Sequence, residues 1–492
     1  MNPTVTTRYG MVGGQVRDGV ARFLGIPYAA SPTGPLRLRA PVPPEPWDGV
    51  REASALGATP PKPDYAAPFD ELLPEPSIPG DDWLNLNVWT PDPGGAGLPV
   101  MVWIHGGAFS NGNSAVPIYD GHAFARDGVV LVTVNYRLGV DGFALLPDAP
   151  ANRGLLDQIA ALEWVRDNIA AFGGDPGNVT VFGESAGAMS VTTLLAMPRA
   201  RGLFARAITQ SGSVQAAADP ADAALVTREL GLAAGHEPTA AGLALVGLPE
   251  LIKAQAQVRD ALATQPDPAR FGATIVASSM PFIPVVDGDL IPARPLDAIA
   301  AGAGSGVPLL TGTTTEEYRL FLVPTGMAAL ITDELLAGLL PVLGIGQHVA
   351  DLYRANRPGA SPGDILSALI TDKYFRLPAL AVAQARRGAA APTYLYEFAW
   401  PSQVSGLGAC HSLEIPFVFD NLSAEGAELA LGPTPPAALA EQMHAAWIAF
   451  ARGGDPGWPA FDDSYPVMVF NAPGGGLAAD PRGDERAIWA RG

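Results

Sequence analysis

With a single cysteine, Cys410, among 492 residues, the chain has no route to an internal disulfide, and nothing in it calls for an oxidising compartment. Basic residues are also scarce: 30 Lys and Arg stand against 49 Asp and Glu, a formal net charge of -19. Such a balance repels phosphate backbones and anionic headgroups, so neither nucleic acid nor an anionic membrane surface is expected as a partner. No apolar run approaches the roughly 18 residues that span a bilayer, and the opening MNPTVTTRYGMVGG lacks the basic start and apolar core of a signal peptide. Taken together these absences predict a cytoplasmic protein. No cysteine-histidine cluster with metal-ligand spacing occurs, and no metal or other cofactor is expected.

Apolar residues make up 48% of the chain, ample for a large core. Near-continuous apolar runs at residues 99–104 (PVMVWI) and 129–136 (VVLVTVNY) read as strands buried on both faces. Residues 154–172 carry helix-like apolar spacing. Residues 9–50 alternate glycine turns with short extended runs, which predicts an N-terminal antiparallel hairpin followed by proline-rich surface chain. No repeat or linker divides the sequence. One domain over residues 1–492 is expected, with helical segments inserted near 219–264 and 321–370.

The stretch that organises the rest is residues 172–187, FGGDPGNVTVFGESAG. Residues 179–182 (VTVF) have strand character, and residues 186–197 read as a helix ended by Pro198. Between them lies G-x-S-x-G, in which a strand turns abruptly into a helix with Ser185 at the apex. Alone, such a pattern also fits a glycine turn with an exposed serine. Residues 105–109 (HGGAF), at the exit of the 99–104 strand, offer backbone N–H groups of the kind that build an oxyanion hole, though they also suit a plain glycine turn.

The longer stretch around Ser185 resembles the signature of the type-B carboxylesterase and cholinesterase family, which includes para-nitrobenzyl esterase-like enzymes. Residues 81–91 (DDWLNLNVWTP) resemble a second signature, with Trp83 where the family usually has a disulfide cysteine. The resemblance runs from Tyr9 to about Phe470. It implies an α/β-hydrolase fold, with a mostly parallel central sheet flanked by helices, and hydrolysis of a small-molecule carboxylic ester through an acyl-serine. It also implies structural ion pairs Arg137–Asp157 and Arg37–Asp81, and a hydrogen-bonding serine, Ser211, near the catalytic acid.

In this fold the triad runs serine, acid, histidine. Of six histidines, His105 and His122 precede Ser185, leaving His236, His348, His411 and His444. Residues 408–419 (GACHSLEIPFVF) resemble the family's histidine loop and point to His411, whereas His444 lies in a helical pattern and reads as a packing or surface residue. Residues 312–317 (GTTTEE) resemble the strand-end motif of the acid, placing it at Glu317, with its neighbour Glu316 the alternative. Gly106, Gly107 and Ala186 are the expected oxyanion donors, and Ala108 and Phe109 the expected border of the substrate. Residues 321–345 read as short core helices or, alternatively, as the wall of an acyl or alcohol pocket. Two other functional readings stand beside ester hydrolysis. One is an amide, carbamate or lactone hydrolase, or an acyltransferase, using the same acyl-serine; the other is a non-catalytic cholinesterase-like binding protein.

Overall fold

A computed structural model describes residues 2–212 and 216–490. Its strands are β1 (Thr4–Thr7), β2 (Gly10–Gly13), β3 (Gln15–Arg17), β4 (Val20–Pro27), β5 (Val50–Glu52), β6 (Asn85–Thr90), β7 (Leu98–Ile104), β8 (Val130–Val134), β9 (Gly174–Glu184), β10 (Arg206–Gln210), β11 (Leu309–Thr314), β12 (Thr393–Phe398), β13 (Pro466–Phe470) and β14 (Gly476–Ala479). Eleven of them form one sheet in the order β14-β13-β12-β11-β10-β9-β7-β8-β6-β4-β3. From β8 through β7, β9, β10, β11, β12 and β13 the neighbours are parallel, while both flanks are antiparallel.

Apolar runs become central strands because each face needs cover. In β7, Val100, Val102 and Ile104 enter one core cluster, and Met101 and Trp103 enter the cluster on the opposite face. That period of two, with apolar residues in both phases, is what a sheet covered by helices on both sides requires. Helices Arg153–Asn168 and Ala186–Ala196 contribute to the first cluster, and helix Ala437–Gly453 to the second.

The N-terminal segment differs from the single expected hairpin. Strands β1 and β2 pair antiparallel and are joined in parallel by β5 in a separate three-stranded sheet, while β3 and β4 form a second hairpin that extends the edge of the main sheet. The segment near 219–264 holds helices Pro220–Ala234 and Leu248–Thr264. The segment near 321–370 holds Asp333–Val342, Gln347–Asn356 and Pro362–Thr371, which with Ile331 and Ile345 build a core cluster of their own.

One expected ion pair forms and one does not. Arg137 grips Asp157 through Nε at 2.8 Å and Nη2 at 2.7 Å, and both are buried. Arg37 instead sits 3.5 Å from Asp141 and donates to the Val246 carbonyl at 2.8 Å. Asp81 stays exposed, with its carbonyl taken by Ser31. The half-buried Arg37 thus has Asp141 as its counter-charge and the Val246 carbonyl as its acceptor, and the Arg37–Asp81 expectation is corrected.

Candidate active site

Ser185 occupies the one residue between β9 and the Ala186–Ala196 helix, with φ 53° and ψ -122°. A non-glycine residue held there stores roughly 1–3 kcal/mol of strain. Two backbone bonds hold the strained turn: Ser185 N–H donates to Gln210 O at 2.9 Å, and Ser185 O accepts from Met189 N–H at 2.8 Å. The flanking glycines follow from packing. A Cβ on Gly187 would lie 1.9 Å from Ile104 O, and one on Gly183 would lie 2.6 Å from the same atom. The elbow can turn sharply only because β7 passes this close.

The HGG turn approaches from the end of β7. A Cβ on Gly106 would meet Ser185 Cβ at 3.1 Å, so no side chain separates that backbone from the serine. Gly107 adopts φ +111°, and Ala108 and Phe109 follow with φ 52° and 58°. No turn, loop or side-chain acceptor among the described residues takes the N–H of Gly106, Gly107 or Ala186. His105 fixes the turn from beneath: Nδ1 meets Gly106 O at 2.8 Å and the ring stacks on Tyr136. Burial lowers its pKa to about 4, so it stays neutral. Of the two residues expected to border the substrate, Ala108 is exposed beside Gly107. Phe109 is fully buried, edge-on to Phe143 at 4.8 Å, so only Ala108 presents a surface there.

Glu317 and His411 come from the segments that follow β11 and β12, at the C-terminal ends of the parallel strands, as does Ser185 after β9. His411 Nδ1 lies 2.6 Å from Glu317 Oε2, and Glu317 Oε1 accepts the Thr314 N–H at 2.8 Å. Backbone joins the same two residues, His411 N–H donating to Glu317 O. Glu316 turns the other way and accepts the Ala409 N–H at 2.9 Å. The rings of Phe375 and Phe321 pack against His411 at 4.9 and 5.4 Å, so one residue of the 321–345 segment touches the histidine. Ser185, half-buried, makes no direct hydrogen bond to His411. Such contacts commonly tighten only when substrate is present.

Sequence reasoning missed a set of carboxylates around the histidine. Glu184 Oε1 lies 3.2 Å from His411 Nε2 and accepts from Ser412 Oγ at 2.6 Å. Glu414 Oε1 accepts from Gln210, while its Oε2 has no partner among the described residues. Glu184 and Glu414 are buried, and burial pushes both carboxyls up, Glu414 further raised by the charges of Glu184 and Glu317. Burial also disfavours the His411 cation, but Glu184 and Glu317 outweigh it and raise the imidazole. Glu184, Glu414 and His411 therefore titrate together. Glu184 stands inside GESAG and Glu414 three residues after His411, so their positions were available; their burial was not.

Ser211 departs from expectation. Its backbone N–H donates to Gly312 O, yet its hydroxyl is buried without a partner among the described residues. His444 is a buried packing residue, Nδ1 against Val418 O at 2.7 Å.

Comparison with known proteins agrees with this geometry. The family model described as "Carboxylesterase family" matches residues 1–476. The para-nitrobenzyl esterase of Bacillus subtilis (strain 168) is 42% identical over 474 residues, covering 93% of this chain and 92% of that protein. A phenmedipham hydrolase from Pseudarthrobacter oxydans is 35% identical, covering 97% of each. A crystal structure of a Geobacillus stearothermophilus carboxylesterase superposes with a TM-score of 0.85 at 39% identity, covering 99% of both chains. Matched in sequence along nearly its whole length and in overall fold, the chain belongs to the carboxylesterase family, which hydrolyses carboxylic esters on the α/β-hydrolase fold.

Proposed function

We propose that Ser185 is the nucleophile of this esterase, His411 its general base and Glu317 the acid that orients the imidazole. The reading rests above all on the 2.6 Å contact between His411 Nδ1 and Glu317 Oε2, which leaves Nε2 facing the end of β9. His411 Nε2 takes the proton of Ser185 Oγ as the oxygen attacks the ester carbonyl. It then returns that proton to the departing alcohol oxygen as the carbon-oxygen bond breaks. Water, deprotonated by the same nitrogen, attacks the acyl-serine and releases the acid. Glu317 fixes the tautomer in which Nδ1 keeps its hydrogen and stabilises the transient imidazolium. The N–H groups of Gly106, Gly107 and Ala186 receive the tetrahedral oxyanion, each worth about 3 kcal/mol in sites of this kind.

The name of the Bacillus relative suggests a para-nitrobenzyl ester as a first substrate, with the acyl or alcohol group beside the exposed Ala108. The single-cysteine composition supports a cytoplasmic setting. Ser185→Ala tests the nucleophile: turnover is expected to fall at least about a thousandfold, with the folded near-UV spectrum retained. Undiminished turnover in folded Ser185→Ala protein would remove the assignment.

A further inference from the structure

The helix that begins at Pro362 and ends at Ala385 is not regular throughout. Pro362–Thr371 and Leu377–Ala385 are α-helical, and between them Asp372–Arg376 form a π-turn. Pro378 supplies a cause. It has no N–H to donate to the Tyr374 carbonyl one turn back, and its ring would strike that carbonyl in a regular helix. A π-turn closes its hydrogen bonds over one more residue than an α-helix does, so it rotates the side chains around it, and such turns concentrate at functional sites. Here the turn presents Phe375, whose ring lies 4.9 Å from that of His411.

The turn is firmly held. Asp372 and Arg376, both buried, pair across it at 2.8 Å, and Tyr353 donates its hydroxyl hydrogen to Asp372. Arg376 Nη2 donates to the carbonyls of Pro481 and Arg482 at 2.6 and 3.1 Å. Just before the turn, Thr371 Oγ1 accepts at 3.0 Å from the N–H of Tyr318, the residue after Glu317. One short stretch of helix therefore touches the acid-bearing loop through Thr371 and the histidine through Phe375. Close-packed and ion-paired, it resists displacement.

His411 needs such a stop. Glu317 fixes Nδ1 at 2.6 Å, which leaves the imidazole free to swing about that contact and carry Nε2 between two oxygens. One is Ser185 Oγ, which Nε2 must reach to act as base; the other is Glu184 Oε1, 3.2 Å away. Hydrogen bonding alone does not favour the serine, because the Glu184 oxygen is an acceptor too. A ring packed against the imidazole does limit the swing, and misplacing a reacting atom by about 1 Å can cost about a hundredfold in rate. Of the two aromatic neighbours, Phe321 stands on a helix of 4 residues, Arg319–Leu322, whereas Phe375 stands in the pinned turn.

We propose that Phe375, presented by the π-turn, is a positioning residue for His411: its ring sets the angle at which the imidazole stands, so that Nε2 meets Ser185 Oγ when an ester is bound. The proposal rests on the reading of His411 as general base. Its test is steady-state kinetics with p-nitrophenyl acetate and butyrate across pH on Phe375→Leu, Phe375→Met and Phe375→Tyr, with His411→Gln alongside. In the Leu and Met variants kcat should fall about tenfold with KM within about twofold of the parent, while Phe375→Tyr, which keeps the ring, should stay within about threefold. The acidic limb of kcat/KM should also move in the first two. Burial is the strongest influence on the His411 proton affinity and lowers it, against Glu184, Glu317 and Glu414, so admitting water beside the imidazole moves the limb to higher pH. A side chain that merely filled space would change the melting temperature and leave the limb in place. A kcat for Phe375→Met within about twofold of the parent, a raised KM at unchanged kcat, an unmoved limb, or an equal loss in Phe375→Tyr would each overturn the role. Methionine fills irregular core space, so Phe375→Met decides the matter even where Phe375→Leu fails to fold. An inactive His411→Gln beside a parent-like Phe375→Met would remove this proposal alone, whereas full turnover in His411→Gln would remove the base itself.

Discussion

Replacing Glu317 by Gln would keep the reach of the side chain toward His411 Nδ1 while removing the charge that orients the imidazole. A loss of kcat of about ten-thousandfold is expected from loss of the correct tautomer. Glu316→Gln should stay within a few-fold of the parent, since that carboxylate faces Ala409 N–H and not the imidazole. Steady-state kinetics on the two variants checks both; the reverse ranking would move the acid by one residue. Glu184→Gln probes the surrounding charge. The acidic limb of kcat/KM reports the proton affinity of His411, which burial lowers and Glu184 and Glu317 raise. With the Glu184 charge gone, His411 loses its proton more readily and the limb should move to lower pH. A limb that moves to higher pH or stays put would contradict the charge cluster. At this scale the sequence was informative where a motif named the residue, as for Ser185 and His411. It was silent on Glu414 and Gln210, whose contact spans 204 positions along the chain.

Among the elements, the strand–elbow–helix unit makes the sharpest stability prediction. Gly187→Ala drives a Cβ to 1.9 Å from Ile104 O, where backbone must yield, whereas Gly202 has φ +83° but open space around it. Thermal unfolding should therefore show Gly187→Ala losing about 3 kcal/mol or more. Gly202→Ala should lose only about 1 kcal/mol, from the left-handed conformation. Equal losses would mean that the close approach of β7 does not constrain the elbow. The apolar runs of β7, β8 and β9 were readable because buried parallel strands need no polar alternation. The N-terminal strands were only half readable. Local alternation announces a hairpin, but whether it pairs into the small sheet or extends β6 depends on partners at residues 50–52 and 85–90. The same limit explains Arg37, whose partners at residues 141 and 246 no local pattern connects to it.

For the whole molecule, stability depends on packing without covalent cross-links. Cys410 is 1% exposed and burial raises its thiol well above the ordinary value, so it is neither nucleophilic nor accessible. Thiol reductant should leave the melting temperature unchanged within error, and a thiol reagent should label the protein only after denaturant is added. Labelling of the native protein at Cys410 would show that the histidine loop opens. No helix among the described residues is long and apolar enough to cross a membrane. Composition made these whole-molecule properties legible from the start, and the mostly parallel sheet flanked by helices followed from family resemblance more than from any pattern in the residues, while its strand order was not readable at all.

The most direct test of the acyl-serine account is a pre-steady-state burst with p-nitrophenyl acetate, repeated after a serine-directed organophosphate, with mass mapping of the labelled peptide. The account predicts about one equivalent of p-nitrophenol released in the burst, abolished by the reagent, with the label on Ser185. A folded protein that gives no burst, or that carries the label elsewhere, would contradict it.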